Sequence, residues 1–235
     1  MNPHAVITGA TEGIGKAITE KLLKEGCSVA VCARNEEKLE ALAAAWQAQY
    51  PAQVILPLRC DMSRKEEVQH FARQVLERMG NVAILVNNAG IFQPGQLATE
   101  PEGQLEKIMD VNLFGPYHLT RALLPQMQQA RSGHIFNLCS VASLRAYENG
   151  GAYSISKYAL LGFSENLREE LREYDIKVTS ICPGAVWSNS WSGSGVARER
   201  IMEATDIAEL VWTGYRLSAQ AGLETIILRP LKGDL

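Results

Sequence analysis

Thr8-Gly9-Ala10-Thr11-Glu12-Gly13-Ile14-Gly15 is the stretch that decides how this chain reads. It follows the apolar run His4–Thr8 and opens a helical pattern that Gly26 stops. Glycines in such a turn let the backbone bend sharply and come close to a pyrophosphate. The N-terminus of the helix behind it offers free N–H groups and a partial positive charge to that anion. A glycine-rich turn also occurs as plain structure, so its meaning comes from the strand before and the helix after. The spacing here is GxxxGxG, not GxGxxG.

Six more short apolar runs follow: Ser28–Cys32, Val54–Arg59, Ala83–Asn87, His134–Cys139, Val178–Cys182 and Glu224–Leu228. Each is nearly continuous in Val, Ile and Leu, as strands buried on both faces are. Helical patterns lie between them. Asn35 opens one; Ser63 with Glu66 three residues on reads as a capping box for another. Gln104–Gln129 and Tyr153–Tyr174 read as long helices. Seven strands alternating with helices predict an α/β protein, a parallel sheet with helices on both faces. No repeat or linker divides the chain, so 1–235 reads as a single domain. Trp187–Arg200, rich in Ser and Gly, reads as a mobile loop, and 185–205 as the segment over the substrate.

The bulk numbers exclude other classes. A length of 235 residues with 46% hydrophobic residues suits one domain with a large core and rules out disorder. The net charge of −3, without a basic run, gives no nucleic-acid footprint. The five cysteines lack CxxC spacing and read as buried thiols of a reducing compartment. The four histidines are scattered, so no metal is expected. No apolar run approaches ~18 residues, which predicts no membrane span. Ala5-Val6-Ile7 leads directly into the glycine turn, leaving no room for a targeting segment; a cytoplasmic location is the default expectation.

The end of the second strand bears on the cofactor. An NAD site places an acid there for the ribose hydroxyls. Here the run is Cys32-Ala33-Arg34-Asn35, with no acid. Arg34 can meet a 2′-phosphate with a forked, charge-assisted contact, or it can be an ordinary exposed arginine. Glu12 in the glycine turn opposes a phosphate. The balance favours NADP.

Tyr153-Ser154-Ile155-Ser156-Lys157 places a phenol and an ammonium four residues apart, on one face of a helix. A phenol titrates near pH ~10, and nearby positive charge would lower that value. Reduction of a carbonyl needs a proton at oxygen as hydride reaches carbon. Ser140 ends the fifth strand, thirteen positions before Tyr153, where a hydroxyl can orient a carbonyl. Asn87-Asn88-Ala89-Gly90 ends the fourth strand, with small residues that admit a ribose. Asn112 sits mid-helix, where Asn is mildly unfavourable.

In this order and spacing these motifs resemble the short-chain dehydrogenase/reductase family over essentially the whole chain. The matching residues are Thr8–Gly15, Asp61, Asn87–Gly90, Asn112, Ser140, Tyr153 with Lys157, and Pro183-Gly184. The resemblance implies a Rossmann-type doubly wound fold. It makes Tyr153 the acid/base, Lys157 its pKa modulator and a ribose ligand, Ser140 the carbonyl-positioning group, and Asn112 the holder of a relay water. It implies an NADP site made by Gly9, Thr11, Gly13, Ile14, Gly15, Arg34, Asp61, Met62, Asn88, Ala89, Gly90, Tyr153, Lys157, Pro183, Gly184, Val186 and Ser188. Asp61 falls to the adenine, Asn88 to the adenosine-side ribose, and Val186 with Ser188 to the carboxamide. Within the family, Glu224–Pro230 and the short loop after Pro183 resemble small bacterial members similar to sepiapterin reductase. The broader comparison is to 3-oxoacyl-acyl carrier protein reductases.

Ile91, Phe92, Val141, Tyr147, Asn149, Trp187 and Trp191 are candidates for an apolar, partly aromatic substrate pocket. The two tryptophans read equally as loop anchors or subunit contacts. Arg145 and Glu148 read as solvated. The partner expected is a small-molecule carbonyl. The resemblance implies a homodimer or homotetramer through the two long helices. Two other readings stay open: an NAD-linked alcohol dehydrogenase, and an NADP(H)-binding redox sensor without turnover.

Overall fold

The computed structural model describes residues 2–188, 191 and 195–234. The strands are β1 (His4–Thr8), β2 (Ser28–Ala33), β3 (Ile55–Arg59), β4 (Ile84–Asn87), β5 (Gly133–Leu138), β6 (Ile176–Pro183) and β7 (Thr225–Leu228). The helices are α1 (Gly13–Lys24), α2 (Glu36–Gln49), α3 (Lys65–Met79), α4 (Gln104–Met109), α5 (Gly115–Ala130), α6 (Gly151–Leu171) and α7 (Ala204–Arg216). All strand pairs are parallel, in the order β3-β2-β1-β4-β5-β6-β7. This is the Rossmann-type doubly wound sheet that the alternation of runs predicts. Pro57 on β3 fits an edge strand, where its missing N–H leaves no gap in the ladder.

Side chains alternate across the sheet, so each central strand feeds two cores. Val6, Leu85 and Ile135 pack with Phe71, Leu119 and Leu123, from α3 and α5, on one face. Ile7, Val86 and Phe136 pack with Ile18, Leu22 and Val211, from α1 and α7, on the other. Chain direction reverses its progress across the sheet between β1 and β4. In such sheets the crevice beyond the carboxyl ends of the strands at that point is where ligands bind.

Two local readings are corrected. Ser63 does not cap α3. Its N–H and its hydroxyl both donate to Asp61 Oδ1, at 3.0 and 2.8 Å, and the N-cap position of α3 falls at Arg64, which makes no side-chain cap. Glu67, not Glu66, closes the turn by accepting from the Asp61 N–H at 2.9 Å. Gln104–Gln129 is not one regular helix either. Residues Asp110–Phe114 form a π-helical turn between α4 and α5. Asn112 lies in it, fully buried.

His134 sits in β5 and stacks on Phe136, with ring centroids 3.8 Å apart. The Thr179 hydroxyl donates to the Leu223 carbonyl, so its oxygen accepts from His134 Nε2–H at 2.7 Å. Burial, helped by the charge of Lys177, pushes the imidazole down to about 3. The unfolded chain, near 6.5, therefore takes up a proton that the folded chain refuses. Stability holds above pH ~6.5 and falls below it, by up to ~1.4 kcal/mol per pH unit down to about 3. Chemical denaturation of His134→Gln between pH 7 and 4 should show a shallower fall than the parent. Parallel curves would mean that His134 does not carry this acid sensitivity.

Candidate active site

A cleft of about 1020 Å³ opens along the carboxyl edge of the sheet. That is at the upper end for ligand sites, ~300–1,000 Å³. Its floor begins at the glycine turn. Gly9 adopts φ +69°, and a Cβ there would lie 3.0 Å from Ala89 Cα. Thr8 Oγ1 accepts from the N–H groups of Asn88 and Ala89, at 3.0 and 2.9 Å. Asn88 Nδ2 donates back to the carbonyls of Thr8 and Gly9, at 2.8 and 3.2 Å. β1 and β4 are thus stitched together at the switch point. The Asn88 amide, assigned by resemblance to a ribose, does structural service here, while Asn88 still lines the cleft.

Gly15 lies elsewhere. It does not line the cleft; a Cβ on it would sit 2.2 Å from the Gly9 carbonyl oxygen. Its bareness lets α1 pack against the turn. No side chain caps α1, whose N-cap residue is Glu12. The first N–H groups of the helix are left for a ligand. Glu12 itself is ion-paired to Lys38 of α2 at 3.1 Å. The opposition of Glu12 to a phosphate is therefore offset by a cation that the sequence reading overlooked. The separation of 26 residues hides the pair.

At the same end, Arg34 follows β2 and lines the cleft, exposed. Asp61 and Met62 lie opposite, after β3. Burial pushes the Asp61 carboxyl up. The two Ser63 hydrogen bonds and the charges of Arg34 and Arg59 outweigh it, so the group ends below its ordinary value.

At the other end, α6 presents Tyr153 and Lys157. Lys157 is buried, and its Nζ donates to the Leu138 carbonyl at 2.7 Å. That Nζ lies 5.8 Å from the centroid of the Tyr153 ring. A Cβ on Gly90 would come within 3.6 Å of it. Burial lowers the ammonium's pKa, while Cys139 and Cys182 act to raise it. The Tyr153 ring meets Phe92 edge-on, with centroids 4.9 Å apart. Burial pushes its phenol above the ordinary value near 10, and a hydrogen bond with the Ser140 hydroxyl pulls partly back. The lowering expected from Lys157 is not the net outcome: desolvation wins.

Asn112 does not line the cleft. Its Oδ1 accepts from Ile91 N–H at 2.8 Å, and its Nδ2 donates to the Ile91 carbonyl at 3.0 Å and to Ser156 Oγ at 2.9 Å. Ser156 Oγ in turn donates to the Tyr153 carbonyl at 2.7 Å. Both amide hydrogens and one lone pair are therefore committed to fixing the Ile91 turn and the Tyr153 backbone. The π-helical turn around Asn112 fits this, since such turns recur beside functional sites.

Gly9, Thr11, Gly13, Ile14, Arg34, Asp61, Met62, Asn88, Ala89, Gly90, Ser140, Tyr153, Lys157, Pro183, Gly184, Val186 and Ser188 all line this one cleft. Of the substrate candidates, Ile91, Phe92, Val141, Tyr147 and Trp191 line it; Asn149 and Trp187 do not. The Arg198 guanidinium lies over the Trp187 ring at 5.0 Å and pairs with Glu203 at 3.0 Å. Val186 bridges to Met202. Trp187 is thus a loop anchor, and the segment carries a short 3₁₀ turn at Arg198–Arg200. Part of the 185–205 segment (189, 190 and 192–194) lies outside the described residues. Arg145 is exposed but borders the cleft, as do Arg229 and Asp234, which are ion-paired to each other. Sequence reasoning did not assign these to the site. Among the described residues no cluster fit for a metal ion occurs, and no helix is long and apolar enough to cross a membrane.

The family model of the short chain dehydrogenases matches residues 3–195. The chain is 31% identical over 243 residues to a sepiapterin reductase of Chlorobaculum tepidum, covering 100% of this chain and 99% of that one. A solved metagenomic short-chain oxidoreductase in complex with NADP is 34% identical, with a TM-score of 0.85 and coverage of 97% and 96%. An alcohol dehydrogenase of Thermococcus sibiricus, complexed with 5-hydroxy-NADP, is 29% identical, with a TM-score of 0.90 and coverage of 98% and 97%. This chain belongs to the short-chain dehydrogenase family, a family of oxidoreductases.

Proposed function

We propose that the protein is an NADP-dependent carbonyl reductase with Tyr153 as its general acid/base. The observation that carries this reading is one cleft with Arg34 and an uncapped helix N-terminus at one end, and Ser140, Tyr153 and Lys157 at the other. The residues fit a dinucleotide. Gly9 keeps the turn clear of side chains, and the α1 N–H groups suit a pyrophosphate. Arg34 suits a 2′-phosphate, with Lys38 offsetting Glu12. The two relatives whose solved structures carry NADP or 5-hydroxy-NADP support the same choice.

When bound, NADPH supplies the hydride that reaches the carbonyl carbon. The chain does the rest. Ser140 and Tyr153 hydroxyls, both lining the cleft, converge on the substrate oxygen. Tyr153 delivers the proton to that oxygen. Lys157 holds positive charge beneath the phenol, fixed by Leu138. Asn112, through Ser156, holds the Tyr153 backbone in place. Phe92, Val141, Tyr147 and Trp191 form an apolar wall for the carbonyl compound. We further infer that the protein works in the cytoplasm as a homodimer or homotetramer.

Arg34→Ala tests the cofactor assignment. A charged hydrogen-bonded contact is worth ~1.5–3 kcal/mol, so NADPH should bind about 10–100-fold more weakly. NADH binding should change less than about threefold. Fluorescence titration with both nucleotides measures this. An equal loss for both would overturn the NADP assignment in favour of an NAD-linked dehydrogenase.

A further inference from the structure

We infer that Cys139 and Cys182 form a peroxide-sensitive dithiol built into the floor of the active-site cleft. β5 and β6 pair with Leu138 beside Ile181. Cys139 and Cys182 each follow by one residue. Neighbouring strands lie ~4.8 Å apart, within the ~4.4–6.8 Å between Cα atoms that a disulfide spans. The two side chains pack in one buried cluster with Leu160. Both are free. Cys139 lines the cleft, so a small oxidant can reach it.

The surroundings give the two sulfurs different parts. The Cys182 hydrogen bond lowers the Cys139 pKa against the opposing effect of burial. The Lys157 charge and the hydroxyls of Ser164 and Ser143 lower it further. Cys182 is held protonated by the same pairing and by burial. Cys139 lines the cleft and Cys182 does not, so Cys139 is the attacking thiolate and Cys182, behind it, the resolving thiol. The Cys139 sulfur attacks one oxygen of a hydroperoxide, the O–O bond breaks, and one water leaves. Cys139 becomes a sulfenic acid. The Cys182 sulfur attacks it, the S–O bond breaks, and a second water carries off the thiol proton. The thiols lose two electrons and the peroxide gains them.

A second contacting pair, Cys32 with Cys60, serves as an internal comparison. Cys32 and Cys60 also line the cleft, but the Cys32 thiol is held well above its ordinary value by its pairing with Cys60 and by burial. It should react slowly.

Closing the S–S bond to ~2.05 Å draws residue 139 toward β6. Residue 139 lies between Leu138, which anchors Lys157, and Ser140, which acts to lower the pKa of the Tyr153 phenol. On the reductase reading, oxidation disarranges the site and activity falls. That consequence rests on the reading; the cross-link does not.

The test is brief exposure of the native protein to hydrogen peroxide, alkylation of free thiols, and mass spectrometry without reduction. The expected product joins the Cys139 and Cys182 peptides, two hydrogens lighter than their sum, and dithiothreitol reverses it. It should form at least about tenfold faster than any Cys32–Cys60 cross-link. In Cys182→Ala, dimedone should trap Cys139 sulfenic acid instead. The proposal is overturned if Cys139 and Cys182 stay alkylatable, if Cys139 passes to sulfinic acid without a cross-link, or if Cys32–Cys60 forms first. A cross-link without turnover in either state would leave the dithiol standing and count against the reductase reading alone.

Discussion

Tyr153→Phe should lose about 10³-fold in kcat while NADPH affinity changes less than about threefold. The substitution removes one oxygen and keeps the ring. Phe92 meets that ring edge-on at 4.9 Å, a contact phenylalanine preserves. The Tyr153 carbonyl still accepts from Ser156. Lys157 keeps its bond to Leu138. The fold and the cofactor floor are therefore left intact, and only the proton donor goes. General acid/base groups contribute ~10²–10⁴-fold. A loss of 10³ corresponds to about 4 kcal/mol of transition-state stabilisation. Burial raises the phenol, so the group is protonated at neutral pH, the form that reduction requires. Steady-state kinetics on an accepted carbonyl, with a parallel NADPH titration, read both halves. Turnover at the parental rate would remove Tyr153 from the chemistry.

Gly15→Ala should lower both the stability of the fold and its affinity for the nucleotide. Its Cβ would lie 2.2 Å from the Gly9 carbonyl oxygen and 2.4 Å from Asn88 Nδ2. The first neighbour is backbone in the floor of the cleft, and the second is an amide already bonded to Thr8 and Gly9. Neither can give way without breaking the β1–β4 stitch. Overpacking of this kind costs ~1–3 kcal/mol or more. For a domain of this size that is a Tm fall of roughly 4–10 °C. NADPH affinity should drop at least about tenfold, because the turn that carries it is displaced. Calorimetry and nucleotide titration check the two effects. An unchanged Tm would show that the helix can shift freely.

Much of this was legible before any coordinates, because it is written locally. β1, β2, β4, β5 and β6 read as unbroken apolar runs because both faces of the sheet are covered there, whereas the edge strand β7 leaves Thr225 and Ile227 exposed. Tyr153 and Lys157 share a face because four residues make just over one helical turn. Arg34 sits where β2 ends. What escaped depends on neighbours far away in sequence. The bonds of the Asn112 amide to Ile91 and Ser156 join segments far apart in the chain. Lys38 answers Glu12 only because α2 packs beside the glycine turn. Ser63 fits a capping pattern, yet the N-cap position falls one residue later, at Arg64. Gly15 was grouped with the ligand glycines, although its close neighbour is protein. The Cys139–Cys182 contact exists through strand register, which spacing does not reveal.

The central claim is hydride transfer from NADPH to a carbonyl. The most direct measurement is oxidation of NADPH and NADH by the purified protein across a panel of ketones, diketones and pterins. Turnover of at least one carbonyl is expected, faster with NADPH than with NADH, and cut about 10³-fold by Tyr153→Phe. Tight NADPH binding with no turnover anywhere on the panel would contradict it and point to a redox sensor.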